Sequence, residues 1–110
     1  MKAIAYVRIS DKDQSNWSLD GQEKDLRRYC EHKKIELLTV FKDDGQSAKN
    51  FDRAEWKELE NFVKKYHRQI DQLLVIAFDR FSRNVSEALN MINILENRFE
   101  IEIISITQPI

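Results

Sequence analysis

The chain has 110 residues, enough for one domain with a real core and too few for two. Charged residues make up 34% and hydrophobic residues 42%, the balance of a soluble globular protein, and the longest strongly apolar runs are far too short to span a bilayer. Eighteen basic and 19 acidic residues leave a net charge of −1, which argues against a nucleic-acid binder unless its basic surface lies on another segment. Cys30 is the single cysteine, which excludes an internal disulfide and fits a cytoplasmic protein. Met1 to Ala5 lacks the basic, apolar and cleavage regions of a signal peptide.

Lys2–Ile9 is apolar and β-branched enough for a buried strand. After a polar loop, Ser18 is a good N-cap for a helix running to about Lys33, with Leu19, Leu26, Tyr29 and Cys30 as its apolar face. The Cys30 thiol is expected to be buried and structural. Ile35–Phe41 reads as a second strand, and Asp43-Asp44-Gly45-Gln46-Ser47 as a solvated turn and loop. Asp52 with Glu55 has capping-box spacing for a second helix, whose core face is Trp56, Leu59, Val63 and Tyr66, with Phe62 beside them. Leu73–Phe78 is a near-continuous apolar run, as expected of a central strand covered on both sides. Asn84 with Glu87 repeats the cap-plus-acid spacing, and Val85, Leu89, Ile92, Leu95 and Phe99 mark a third amphipathic helix. Ile101–Ile106 closes the series as a fourth strand. This β-α-β-α-β-α-β alternation predicts a three-layer α/β/α domain with a mainly parallel sheet and right-handed crossovers.

In open parallel sheets, sites form outside the carboxyl ends of the strands, near a switch in strand order. Arg8 and Ser10 fall at that end of the first strand, and Asp79, Arg80 and Arg83 at that end of the third. Alternation places Tyr6, Arg8 and Ser10 on one face. Arg53 can join them from the first turn of the second helix, where free N–H groups also favour an anion. One hydroxyl among guanidinium groups suits chemistry on a phosphodiester. Arginine stays charged and forks onto phosphate oxygens, and fixed donors lower the barrier as negative charge gathers there. A serine hydroxyl needs a base or a positive field to attack. Asp79 is either a proton carrier or the group that orients an arginine; the orienting role is favoured. Taken singly, each of these residues, Gln22 included, reads as an ordinary cap, ion pair or surface position. Their joint placement carries the argument.

Other chemistries find little support. His32 and His67 have no second ligand at metal spacing, so no metal site is expected. Gly21 and Gly45 are the only glycines, so no nucleotide-binding glycine loop can form and no cofactor is expected.

At these residues the chain resembles the catalytic domain of the serine recombinases, the resolvase/invertase family with its large integrase and transposon relatives. The match runs through Tyr6-Val7-Arg8-Ile9-Ser10, Ser18-Leu19-Asp20-Gly21-Gln22, Asp44-Gly45-Gln46-Ser47-Ala48 with Asp52-Arg53, and Asp79-Arg80-Phe81-Ser82-Arg83-Asn84. It covers essentially residues 1–110 as one catalytic domain. Ser82, and a loop before Ser18 longer than in small resolvases, lean toward the large or transposon-type branch.

The resemblance implies that Ser10 attacks a DNA phosphodiester to give a 5′-phosphoserine link and a free 3′-hydroxyl, without metal or ATP. Arg8, Arg80 and Arg83 would bind and polarise the phosphate, Arg53 would add a contact, and Asp79 and Gln22 would complete the pocket. It also implies DNA as partner, self-association into a dimer and a synaptic tetramer, and continuation past Ile110 into a long interface helix and a DNA-binding domain. The rival reading is a non-catalytic, flavodoxin-like module that binds phosphate or a phosphoprotein.

Overall fold

The structure is a computed structural model and describes residues 1–9, 19–44, 54–76 and 85–107. Four strands, β1 (Lys2–Ile9), β2 (Glu36–Asp44), β3 (Gln72–Val75) and β4 (Glu102–Ser105), form one sheet in the order β2-β1-β3-β4. Every pairing is parallel. Three helices connect them: α1 (Leu19–Lys33), α2 (Ala54–Tyr66), continued by a 3₁₀ turn over His67–Gln69, and α3 (Val85–Arg98). Among the described residues the predicted order of elements is therefore met. The expected caps Ser18, Asp52 and Asn84 lie outside the described residues.

Strand order and crossover hand together fix the layers. The chain steps from β1 outward to β2, then returns across β1 to β3 and on to β4. With right-handed crossovers, that reversal puts α1 on one face of the sheet and α2 and α3 on the other. The core divides in this way. Leu26 and Cys30 of α1 pack on Ala3, Ala5, Val7, Leu74 and Ile76. Trp56, Leu59 and Val63 of α2, with Leu95 of α3, pack on Ile4, Tyr6, Phe41, Leu73, Val75 and Ile103. The strand order reverses between β1 and β3, which are direct neighbours, the place outside whose carboxyl ends open α/β sheets hold ligands.

One irregularity matters for the site. The β1–β2 register shifts between Ala3 and Ile4, so that Ala3 pairs with Leu37 but Ile4 with Thr39. Leu37 and Val40 lie in the α1 layer, whereas Leu38 and Phe41, three residues apart, lie in the α2–α3 layer. A regular strand would send positions three apart to opposite faces, so the bulge at Leu38 resets the phase. Beyond it, Phe41 and Asp43 share the face of Tyr6 and Arg8, their register partners.

Helix α1 ends in a Schellman closure. Lys34 adopts φ 59°, its N–H donates to Glu31 O, and the N–H of Ile35 donates to Cys30 O at 2.8 Å. Cys30 is buried, and burial pushes its thiol pKa up, as expected for a structural cysteine.

Two expectations need correcting. Leu89 does not lie on the buried face of α3: it is 56% exposed, while Met91, Ile92 and Leu95 supply that helix's contact with the core. The stripe drawn through Leu89 continued the spacing of Ile92 and Leu95 one turn too far toward the helix start. Asp43 is not part of a solvated turn either. Strand β2 runs on to Asp44, and Asp43 is only 3% exposed.

Candidate active site

Arg8 occupies the carboxyl end of β1 and is fully buried, an expensive place for a guanidinium. It lies there because alternation from Ile4 and Tyr6 keeps position 8 on the α2–α3 face, where the core gives way to polar groups at the strand ends. Asp43, its register partner on β2, brings a buried carboxylate to the same face.

Asp43 joins three elements. Its Oδ2 accepts a 2.5 Å hydrogen bond from the Tyr6 hydroxyl on β1. Its Oδ1 accepts the backbone N–H of Glu55 in the first turn of α2, at 3.1 Å. A carboxylate at a helix N-terminus satisfies an otherwise orphaned donor and complements the helix dipole. Here the capping carboxylate comes from a neighbouring strand. The Tyr6 ring is held in turn by an edge-on contact with Trp56, with centroids 5.2 Å apart and planes at 80°. The beginning of α2 is thereby tied to the ends of β1 and β2, and Arg53 immediately precedes this helix in the chain.

Gln22, fully buried on α1, approaches from the other layer. Its Nε2 donates to the carbonyl oxygen of Arg8 at 3.1 Å, fixing the backbone where β1 leaves the sheet. On the rim, Glu23 accepts a hydrogen bond from Arg27 and pairs with Lys42; the Lys42 bond, then that of Arg27, holds its carboxyl below the usual range.

Of the residues singled out from sequence, the structure brings Arg8 and Gln22 together at the exit of β1. Ser10, Arg53, Asp79, Arg80 and Arg83 lie outside the described residues. The sequence reasoning passed over Tyr6 and Asp43 as site residues. A signal for them existed: a strand tyrosine on a buried face needs a partner for its hydroxyl, and an aspartate ending the next strand can supply it.

The comparisons with known proteins agree with this fold. The family model for the resolvase N-terminal domain matches residues 3–110, and the chain belongs to that family. Its fold is similar to that of the N-terminal catalytic domain of TP901-1 integrase, at 26% identity and a TM-score of 0.86, over 96% of this chain and 77% of that one. It is also similar to the C-terminal catalytic domain of ISC1926 TnpA, an IS607-like serine recombinase, at 25% identity and a TM-score of 0.82, over 98% of this chain and 69% of that one. A resolvase family site-specific recombinase from Streptococcus pneumoniae, 21% identical, shares the fold with a TM-score of 0.79 over 96% of this chain and 72% of that one. A search of curated proteins gives no match.

The domain is thus a serine recombinase catalytic domain, and its integrase and transposase neighbours are consistent with the large or transposon-type branch. The rival reading as a non-catalytic phosphate-binding module is not favoured.

Proposed function

We propose that this domain cleaves and rejoins DNA through Ser10. The Ser10 hydroxyl oxygen attacks the scissile phosphorus, a serine–phosphate ester forms to the 5′ side, and the bond to the 3′ oxygen breaks. The 3′-hydroxyl leaves carrying a proton. Attack by that hydroxyl on the phosphoserine of an exchanged end reverses the step. The energy of the phosphodiester stays in the ester throughout, so the chemistry requires no nucleotide hydrolysis.

The observation that carries this reading is the fully buried guanidinium of Arg8 at the carboxyl end of β1, beside the switch in strand order. Ser10 is two residues further on, which by chain length alone keeps its Cα within about 7 Å of that of Arg8. Arg8 gives Ser10 a positive neighbour that stays protonated, and Arg80 and Arg83, carried from the end of β3, complete the field around the phosphate. Arg53 adds a contact from the start of α2. Asp79 orients an arginine, and Gln22 completes the pocket by holding the Arg8 carbonyl. Double-stranded DNA is the substrate, and a dimer that pairs into a synaptic tetramer is the working assembly. The long interface helix and the DNA-binding domain that the family resemblance implies would supply the basic surface missing from a domain of net charge −1.

A trapped covalent complex tests the reading. The intact recombinase, incubated with its crossover site nicked so that religation is blocked, is expected to form a protein–DNA adduct that survives denaturation and chelator. Ser10→Ala should form none. An adduct that persists in Ser10→Ala, or that chelation abolishes, contradicts the mechanism.

A further inference from the structure

The carboxyl end of β3 is held by more than its ladder. Three donors converge on the carbonyl oxygen of Ile76: the Thr107 backbone N–H at 3.1 Å, the Thr107 hydroxyl at 2.5 Å and the Ser105 hydroxyl at 3.2 Å. A carbonyl oxygen has two lone pairs, and a strand ladder uses one of them. In addition, the N–H groups of Ile106 and Thr107 donate to the successive carbonyls of Val75 and Ile76. A regular parallel ladder engages alternate residues, whereas the two residues just past β4 grip Val75 and Ile76 at consecutive positions.

The amino end of the same strand pair differs. There Glu102 N–H donates to Asp71 O, and the side-chain link is a long, exposed bond of 3.5 Å from Gln72 Nε2 to Glu102 Oε1. Among the described residues, the hydroxyl clasp stands at the end from which the chain departs toward Asp79, Arg80 and Arg83. Asp79 is three residues past Ile76, so its Cα lies within about 11 Å of that residue's. Any shift of the Ile76 carbonyl is passed to the arginine-bearing segment through these few bonds.

We propose that Thr107, assisted by Ser105, is a positioning residue for the recombinase reaction: its hydroxyl fixes the exit of β3, and with it the origin of the segment bearing Asp79, Arg80 and Arg83. The proposal rests on the reading of those arginines as phosphate ligands. It assigns Thr107 no contact with DNA. A displacement of under 1 Å at such an origin is enough to misalign bidentate contacts whose effect depends on fixed geometry.

The test compares Thr107→Val, Thr107→Ser, Ser105→Ala and Ser10→Ala in the intact recombinase, on a nicked duplex carrying the crossover site recovered from sequenced recombination junctions. Thr107→Val keeps the shape and backbone bond but removes the hydroxyl. It is expected to slow adduct formation roughly tenfold, the kinetic equivalent of one lost hydrogen bond, with DNA affinity unchanged and the protein still fully folded at the assay temperature. Thr107→Ser should restore the rate, and Ser105→Ala should slow it less, because its bond is longer. Wild-type rates in Thr107→Val overturn the proposal, as does a loss of rate that only follows a fall in stability or DNA affinity. The rate is scored whichever residue carries the link, so an adduct that persists in Ser10→Ala overturns the Ser10 assignment alone.

Discussion

The two ends of the sheet are finished in different ways. At the amino end, backbone groups do most of the work: Glu36 N–H donates to Met1 O, Asp71 N–H to Lys2 O and Glu102 N–H to Asp71 O. The side-chain links there, Lys2 N–H to Asp71 Oδ2 at 2.7 Å and Gln72 Nε2 to Glu102 Oε1 at 3.5 Å, are exposed. At the carboxyl end, buried side chains finish the sheet: Arg8, Asp43, Gln22 and the Tyr6 hydroxyl. Burying ionisable groups costs free energy that a fold built only for stability would avoid. Among the described residues such groups are held at this end, which supports the proposed place of the chemistry.

This contrast can be broken by mutation. Asp43→Ala should have the largest effect, since it removes the cap of α2 and the carboxylate that accepts the buried Tyr6 hydroxyl. Loss of a helix cap costs about 1 kcal/mol and loss of a hydrogen bond to a charged group about 1.5–3 kcal/mol, so a fall of roughly 3 kcal/mol is expected in denaturant unfolding. A stability equal to wild type would mean that the carboxyl end is not held through Asp43.

Glu23→Gln probes the rim of the same end. The Glu23 pKa is depressed in the folded state by Lys42 and then Arg27, so its contribution is present above its ordinary value of 4.5 and lost as pH falls through the folded value. The variant should be less stable than wild type at pH 7 by a few tenths of a kcal/mol, as for solvent-screened pairs, and should match it near pH 2. A difference that grows on acidification would reverse the sign and refute the pairing.

Asp71→Ala, at the other end, should change stability least, by less than about 0.5 kcal/mol, because the backbone bonds around it remain. A cost comparable to that of Asp43→Ala would erase the distinction between the two ends.

Much of this was legible in the sequence. The apolar runs of β1 and β3 and the core stripe Trp56, Leu59 and Val63 placed their elements well, because each signal is local and periodic. Asp43 was misread because Asp-Asp-Gly is ordinary turn chemistry. Its partners lie 37 residues back, at Tyr6, and 12 residues ahead, at Glu55, and the bulge at Leu38 decides which face it takes. None of those long-range facts has a local sequence signature. Leu89 was misplaced for the opposite reason: a real periodicity ran beyond the part of α3 that the sheet covers. Among the proposed site residues, the family resemblance implied one pocket holding Arg8 and Gln22, and in the structure Gln22 Nε2 donates to the Arg8 carbonyl oxygen.

The central claim, that Ser10 carries the DNA, has a direct measurement. Trypsin cleaving after Arg8 and Lys12 releases Ile9-Ser10-Asp11-Lys12, whose only hydroxyl side chain is Ser10. After nuclease digestion of the trapped adduct, mass spectrometry is expected to find the 5′-phosphonucleotide remnant on that peptide. Finding it on the following peptide, which holds Ser15 and Ser18, would contradict the account.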